Sequence, residues 1–230
     1  MMHRILVMAL LCGLAAASPA MPGAWLREDG RAFLSVSGIV RRTVAGHEQE
    51  TGLYGEYGLL PRLTIGIDLN ERPALAGHAL VFARLPLIAQ SDRTRLALEI
   101  AAGAHHWQTN WHPMTRATLS LGRAFQAGRG YQGWLNLDAA YERRYGFLRP
   151  AYKLDLTAGL SSGLRLRPLL QIETTLVPGQ GRYWTVTPAI LFGGGRGRGT
   201  AGIATWLVGV ERKSAPQDSV GLKLALWRRF

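Results

Sequence analysis

The chain has 230 residues, with 27 Lys and Arg against 15 Asp and Glu for a formal net charge of +12, 47% hydrophobic residues and one cysteine. So basic a chain raises nucleic-acid binding, but its charges stand singly between Leu, Ile, Val and Ala rather than in runs, which argues against a nucleic-acid partner. One cysteine excludes an internal disulfide, and no apolar run beyond residue 20 reaches the roughly 20 residues of a membrane-spanning helix.

The amino-terminal stretch MMHRILVMALLCGLAAASPA begins with Arg4, runs apolar from Ile5 to Leu14 and ends in small residues from Ala15 to Ala20. Positive start, short apolar centre and small-residue exit describe a secretory signal peptide. Cleavage is expected after Ala20, and Cys12 leaves with the signal; Leu11 stands where a lipoprotein signal would carry a small residue. The expected plan is a signal peptide over 1–20 and a single β domain over 21–230.

Period-two alternation dominates the rest. Leu63, Ile65, Ile67 and Leu69 alternate with Thr64, Gly66, Asp68 and Asn70. Leu96, Leu98 and Ile100 alternate with Arg95, Ala97 and Glu99. Leu135, Leu137 and Ala139 alternate with Asn136, Asp138 and Ala140, and the pattern recurs at Leu154–Leu160 and Leu170–Leu176. Twelve strands are predicted, at 31–41, 51–60, 62–72, 77–89, 93–106, 114–126, 131–145, 149–162, 164–177, 181–194, 199–213 and 219–230. Ten is the alternative count, because Ala89–Asp92 and the Gly193–Gly199 stretch GGGRGRG are long for tight turns. The segments exceed the five or six residues usual in soluble sheets and suit tilted transmembrane strands of about 9–11 residues.

Leu and Ile crowd one face, while the other mixes Gly, Ala, Ser and Thr with single charges. In lipid an open sheet edge would leave backbone groups unpaired, so the sheet must close. The predicted fold is all-β: one antiparallel up-and-down transmembrane barrel. Longer connections at Thr43–Glu50, Pro73–Ala76 and Trp107–Pro113 are expected outside, and tight ones at Leu60–Pro61, Ala127–Gly130 and Ser161–Gly163 on the periplasmic side. Aromatic belts are expected at both ends: Trp107, Trp111, Tyr141, Tyr145, Phe147, Tyr183 and Trp184 outside, and Tyr57, Phe125, Tyr131, Trp134, Phe192, Trp227 and Phe230 inside.

The last segment, SVGLKLALWRRF, ends on Phe230 with Leu222, Leu224 and Leu226 at alternate positions before it. It resembles the carboxy-terminal assembly signal of Gram-negative outer-membrane β-barrels, with Arg228 departing where an apolar residue is usual. The resemblance implies an outer-membrane location, lipid contact and recognition by the barrel assembly machinery.

A search for chemistry finds little. His105, His106 and His112 are close, but without cysteine or a neighbouring carboxylate they read as rim residues rather than a metal site. The outer-membrane phospholipase A family, twelve-stranded barrel enzymes, uses a strand-borne His and Ser two residues apart, and no His-x-Ser occurs here. No cofactor and no enzymatic activity are expected. The predicted lumen is lined by Arg84, Arg95, Glu99, Arg116, Asp138, Lys153, Asp155, Arg165, Arg167, Glu173 and Lys223, with Arg165 and Arg167 on one face. A positive surplus there would favour small anionic solutes. The leading expectation is a small porin-like channel with an anion preference; a barrel without a pore and a lipid-modifying enzyme are the alternatives.

Overall fold

The computed structural model describes residues 23–44, 46–88, 94–128, 130–162, 164–193, 204–214 and 218–230. Among these are twelve strands: β1 (Ala32–Thr43), β2 (Gly46–Leu60), β3 (Leu63–Arg72), β4 (Ala76–Pro86), β5 (Thr94–Trp107), β6 (Asn110–Ala127), β7 (Tyr131–Arg144), β8 (Ala151–Ser162), β9 (Arg167–Val177), β10 (Gly181–Gly193), β11 (Ala204–Lys213) and β12 (Ser219–Arg229). Each pairs antiparallel with its chain neighbours, and β1 pairs with β12 from Phe33↔Arg229 to Arg42↔Val220, so the sheet closes into a barrel. Closure leaves no edge strand. The count is twelve rather than ten, since β10 and β11 are separate, adjacent strands. The expected signal peptide, Ala89–Asp92 and the glycine-rich stretch from 194 lie outside the described residues.

Alternation separates two faces. Val81, Ile100, Leu154, Val210 and Leu222 point outward, each at least half exposed, as an apolar coat for a hydrocarbon surrounding. The intervening positions point into the barrel, where Thr64, Ser120, Asn136 and Glu142 are buried. Trp107, Trp111, Tyr141, Tyr152 and Trp184 are exposed toward one end, and Tyr57, Phe125, Tyr131, Trp206 and Phe230 toward the other. Two residues expected in the inner belt are not there. Trp134 shares the inward parity of Asn136, and Trp227 that of Lys223, so both project into the lumen and are buried. Residue type suggested a belt, but position parity decided otherwise.

Both termini of the barrel meet at one end, here called the terminal end: Phe230 N–H donates to Ala32 O at 3.0 Å. The opposite, distal end carries hairpins shorter than expected. β1 and β2 run out to Thr43↔Gly46, and β5 and β6 to Trp107↔Asn110, so the expected loops Thr43–Glu50 and Trp107–Pro113 are largely strand. They read as loops because apolar residues stop there. The strands continue because their inward side chains, such as Glu48 and Glu50, pair with Arg41 instead of needing an apolar core. Gln108, at φ 54°, makes the left-handed bend of the two-residue β5–β6 turn. Loop length therefore does not orient the barrel.

The chain before β1 does not trail away. Ala24 is fully buried and Trp25 is 7% exposed. Ala24 N–H donates to Asn136 Oδ1 at 3.0 Å, and Arg27 N–H to Thr64 Oγ1 at 2.8 Å. Trp25 meets Trp134 edge-on at 6.2 Å between ring centroids. The backbone then leaves along β2, where Gly30 N–H donates to Gly58 O and Gly58 N–H to Arg31 O, both at 2.9 Å. Two glycines make room for the segment. A Cβ on Gly122 would lie 2.5 Å from the Trp25 ring, and one on Gly58 2.0 Å from Glu28 O. With Phe33, Leu169, Ala189, Leu191, Leu207, Ala225 and Trp227, the segment forms an apolar cluster inside the barrel.

Candidate functional site: the charged lumen

Inward-facing charges on the first half of the barrel form a paired network. Arg84 of β4 binds Glu56 of β2 at 2.5 Å and Glu99 of β5 at 2.6 Å. The Tyr54 hydroxyl accepts from Arg84 at 2.7 Å and donates to Glu56 at 2.5 Å. Arg27 of the inserted segment closes on the other oxygen of Glu56. Arg116 of β6 spans the lumen to Asp68 of β3 at 2.7 Å and also reaches Glu99 at 3.3 Å. Nearer the distal end, Arg41 holds Glu50 at 2.6 Å, Glu48 at 2.9 Å and Glu211 of β11. A buried charge that loses its partner is strongly destabilising, and multiple hydrogen bonds are what make such burial tolerable. These groups therefore read as bracing.

The other half differs. Glu142 takes both Arg144, at 2.6 Å, and Lys153, at 3.1 Å. Asp138, Asp155 and Glu173 form no ion pair with any described residue. Lys213 and Lys223 have no carboxylate within ion-pair distance among the described residues; Lys213 lies in the field of Glu50 and Glu48, which Arg41 holds, and Lys223 Nζ donates to Gln171 Oε1 at 3.0 Å.

Two cavities hold these groups. One of about 300 Å³ is bounded by Gly23, Phe33, Leu207, Ala225 and Trp227 toward the terminal end. A second of about 330 Å³ continues distally, lined by Arg41, Glu50, Arg72, Glu173, Glu211 and Lys213. Ser37, Arg116, Lys153, Asp155 and Lys223 line both, so the two cavities adjoin inside the barrel. Along its walls the cations Arg41, Arg72, Arg84, Arg116, Arg144, Lys153, Lys213 and Lys223 face the carboxylates Glu50, Asp68, Glu99, Asp138, Asp155, Glu173 and Glu211. Glu48, Glu56 and Glu142, held by Arg41, Arg84, Arg144 and Lys153, add to the acidic side, so the charges of the lumen are close to balance. Most of the basic excess lies elsewhere, on exposed arginines such as Arg42, Arg62, Arg123, Arg182, Arg212 and Arg228.

Among the residues predicted to line the lumen, Arg84, Glu99, Arg116, Asp138, Lys153, Asp155 and Lys223 bound the inner cavity and Glu173 the distal one. Arg95 keeps the inward parity of Ala97 and Glu99 but bounds neither cavity. Arg167 lies toward the terminal end, where its guanidinium donates to Ser161 O at 3.3 Å and Gly193 O at 3.2 Å. Arg165 does not share its face: β9 begins at Arg167, and Arg165 sits exposed in the bend before it. The three histidines are at the distal rim. His105 Nε2 donates to Tyr145 O at 2.9 Å, and His106 pairs with Glu71 at 2.8 Å. Leu222, Leu224, Leu226 and Phe230 lie on the outward face of β12, with Arg228 over the Phe230 ring at 4.9 Å.

Sequence reasoning missed the inserted segment. Its signal was there: GAWL at Gly23–Leu26 puts an apolar cluster before the first alternating strand, with no membrane face to occupy.

Comparison with protein-family models and with curated protein sequences finds no match. Among solved structures, the KdgM porin in complex with disordered oligogalacturonate superposes with a TM-score of 0.58 at 8% identity, covering 86% of this chain and 99% of that one. The NanC porin gives 0.57 at 11% identity, covering 84% and 98%. The COG4313 outer membrane channel from Pseudomonas putida F1 gives 0.53 at 13% identity, covering 93% and 99%. The chain thus has the closed antiparallel barrel fold of Gram-negative outer-membrane porins and channels.

Proposed function

We propose that the chain is an outer-membrane channel for small polar solutes, accessible from the distal end and restricted at the terminal end by its own segment Gly23–Arg27. One observation carries this reading: two adjoining charged cavities lie inside a cylinder whose outer face is apolar. The terminal end is the periplasmic one, as expected for a barrel whose two ends of chain meet there. Export with cleavage after Ala20 suits a segment whose Gly23 already sits inside the lumen against Asn136. Lys213 and Lys223, which have no carboxylate within ion-pair distance among the described residues, support a weak preference for anions. Lipids of the outer membrane coat the outward face, and the Leu222–Phe230 strand is the element offered to the assembly machinery.

A second reading, a barrel without a pore, is favoured by the buried Trp25–Trp134 contact within the terminal apolar cluster. Planar-bilayer recording separates the two. The channel reading expects brief, small openings from the native protein, with a reversal potential in a salt gradient displaced modestly toward the anion value. A silent barrel whose segment has also been loosened would favour the second reading.

A further inference from the structure

The register of the second half of the barrel aligns its unpaired charges. Asp138 of β7 stands opposite Asp155 of β8, and Asp155 opposite Glu173 of β9. Glu173 stands opposite Thr185 of β10, and Thr185 opposite Lys213 of β11. One inward-facing row across five strands therefore carries three carboxylates, a hydroxyl and an ammonium. Directly opposed residues have Cβ atoms about 4.5–5.5 Å apart, and like charges so placed destabilise a sheet. Glu173 and Lys213, two strand spacings apart, are separated by about 10 Å of backbone.

Every inward carboxylate of the bracing network has its arginine, whereas none of these three has a described cation within ion-pair distance; Lys153 and Arg84 act on Asp155 and Asp138 only from farther away. Asp138 Oδ2 accepts from Asn136 Nδ2 at 2.7 Å and Ser120 lies beside the carboxylate, while Oδ1 is shielded from solvent without a well-formed hydrogen bond. Lys153, the cation nearest along β8, is engaged with Glu142. The row connects both parts of the lumen, because Asp138 bounds the inner cavity, Glu173 the distal one and Asp155 both. Lys213 and Lys223 face the same distal cavity.

We propose that this row is a binding site for a small zwitterionic solute, whose ammonium group is held by Asp155 with Asp138 or Glu173 and whose carboxylate is held by Lys213 and Lys223. It rests on the channel reading only in naming what passes; binding itself does not require flux. An ammonium group relieves the repulsion among the three carboxylates, and the solute's own carboxylate supplies the close ion pair that neither lysine makes with the described residues. An anion alone leaves the acidic part of the row unrelieved, and an amine alone leaves the lysines unpaired.

Titration calorimetry on the full-length barrel folded in detergent tests this with three probes of equal chain length: 4-aminobutyrate, butylamine and butyrate, at fixed ionic strength. The expected result is that 4-aminobutyrate binds at least tenfold more tightly than either monofunctional probe. Asp155→Asn and Lys213→Gln are each expected to remove that advantage while the heat-modifiable electrophoretic mobility of a folded barrel persists. The comparison on the native protein stands even if a variant misfolds. Butylamine or butyrate binding as tightly as 4-aminobutyrate would overturn the proposal. So would the absence of any binding heat, as when a group of the chain itself already neutralises the row. Binding without conductance would sink the channel reading alone, and conductance without binding would sink this proposal alone.

Discussion

Replacing Trp25 by Ala should loosen the inserted segment and open the terminal end. Trp25 is 7% exposed, packs edge-on against Trp134 and lies over Gly122, so its indole is enclosed on several sides. Truncating a buried Trp to Ala costs about 3–5 kcal/mol. At about 1.4 kcal/mol per tenfold change in an equilibrium, that cost shifts the ratio of docked to undocked segment by roughly a hundredfold or more. Arg27 keeps its bond to Glu56 and Ala24 its bond to Asn136, so the segment is loosened rather than lost. The strand pairings do not involve Trp25, and the barrel itself should persist. Single-channel recording in planar bilayers reads the effect as longer or larger openings, and a cysteine cross-link between the segment and β7 reads docking independently. A cross-link yield that falls while conductance stays unchanged would refute the idea that the segment restricts the lumen.

Other expectations follow from the same geometry. Gly122→Ala adds a Cβ 2.5 Å from the Trp25 ring and should mimic Trp25→Ala without removing a single contact; conductance matching the native protein would argue against a tight seat for the indole. Glu56→Gln leaves Arg27 and Arg84 with a neutral partner in a buried site and should cost about 3–5 kcal/mol, as for breaking a buried pair, measured as a lower urea midpoint for barrel unfolding. A midpoint within experimental error of the native one would mean that the network is not bracing. Deleting Phe230 removes the ring beneath Arg228 and the backbone bonds to Ala32; the yield of folded barrel in the outer membrane should drop severalfold, with the protein accumulating in the periplasm. Lys213→Gln with Lys223→Gln removes the cations without carboxylate partners and should abolish the anion preference in reversal-potential measurements, whereas Arg42→Gln, on the outward face, should leave it unchanged.

Much of the barrel was legible because a barrel strand writes its apolar outer side and its polar lumen into one alternation. Leu63, Ile65, Ile67 and Leu69 announce the outward face, and Thr64, Asp68 and Asn70 announce the lumen, so facing could be read from parity and the strand count narrowed to twelve or ten. Strand ends were less legible. Beyond the lipid both faces are polar, and His47–Glu50 looks like a loop until Arg41 is seen to hold Glu48 and Glu50. The luminal residues could be named from parity, but which of them pair could not. Arg116 reaches Asp68 across the interior from β6 to β3, a chord that depends on barrel shape and shear rather than on spacing along the chain. Trp134 and Trp227 were assigned by residue type when parity already placed them inside. The segment from Gly23 to Arg27 obeys no strand period, and its place became visible only through what it touches.

The most direct test is the conductance of the purified, folded native barrel and of its Trp25→Ala variant in the same planar bilayer. A channel restricted by its own amino-terminal segment should give small, intermittent currents from the native protein and clearly larger or longer ones from the variant. Silence from both, with folded barrels confirmed, would contradict the channel and leave a closed scaffold in its place.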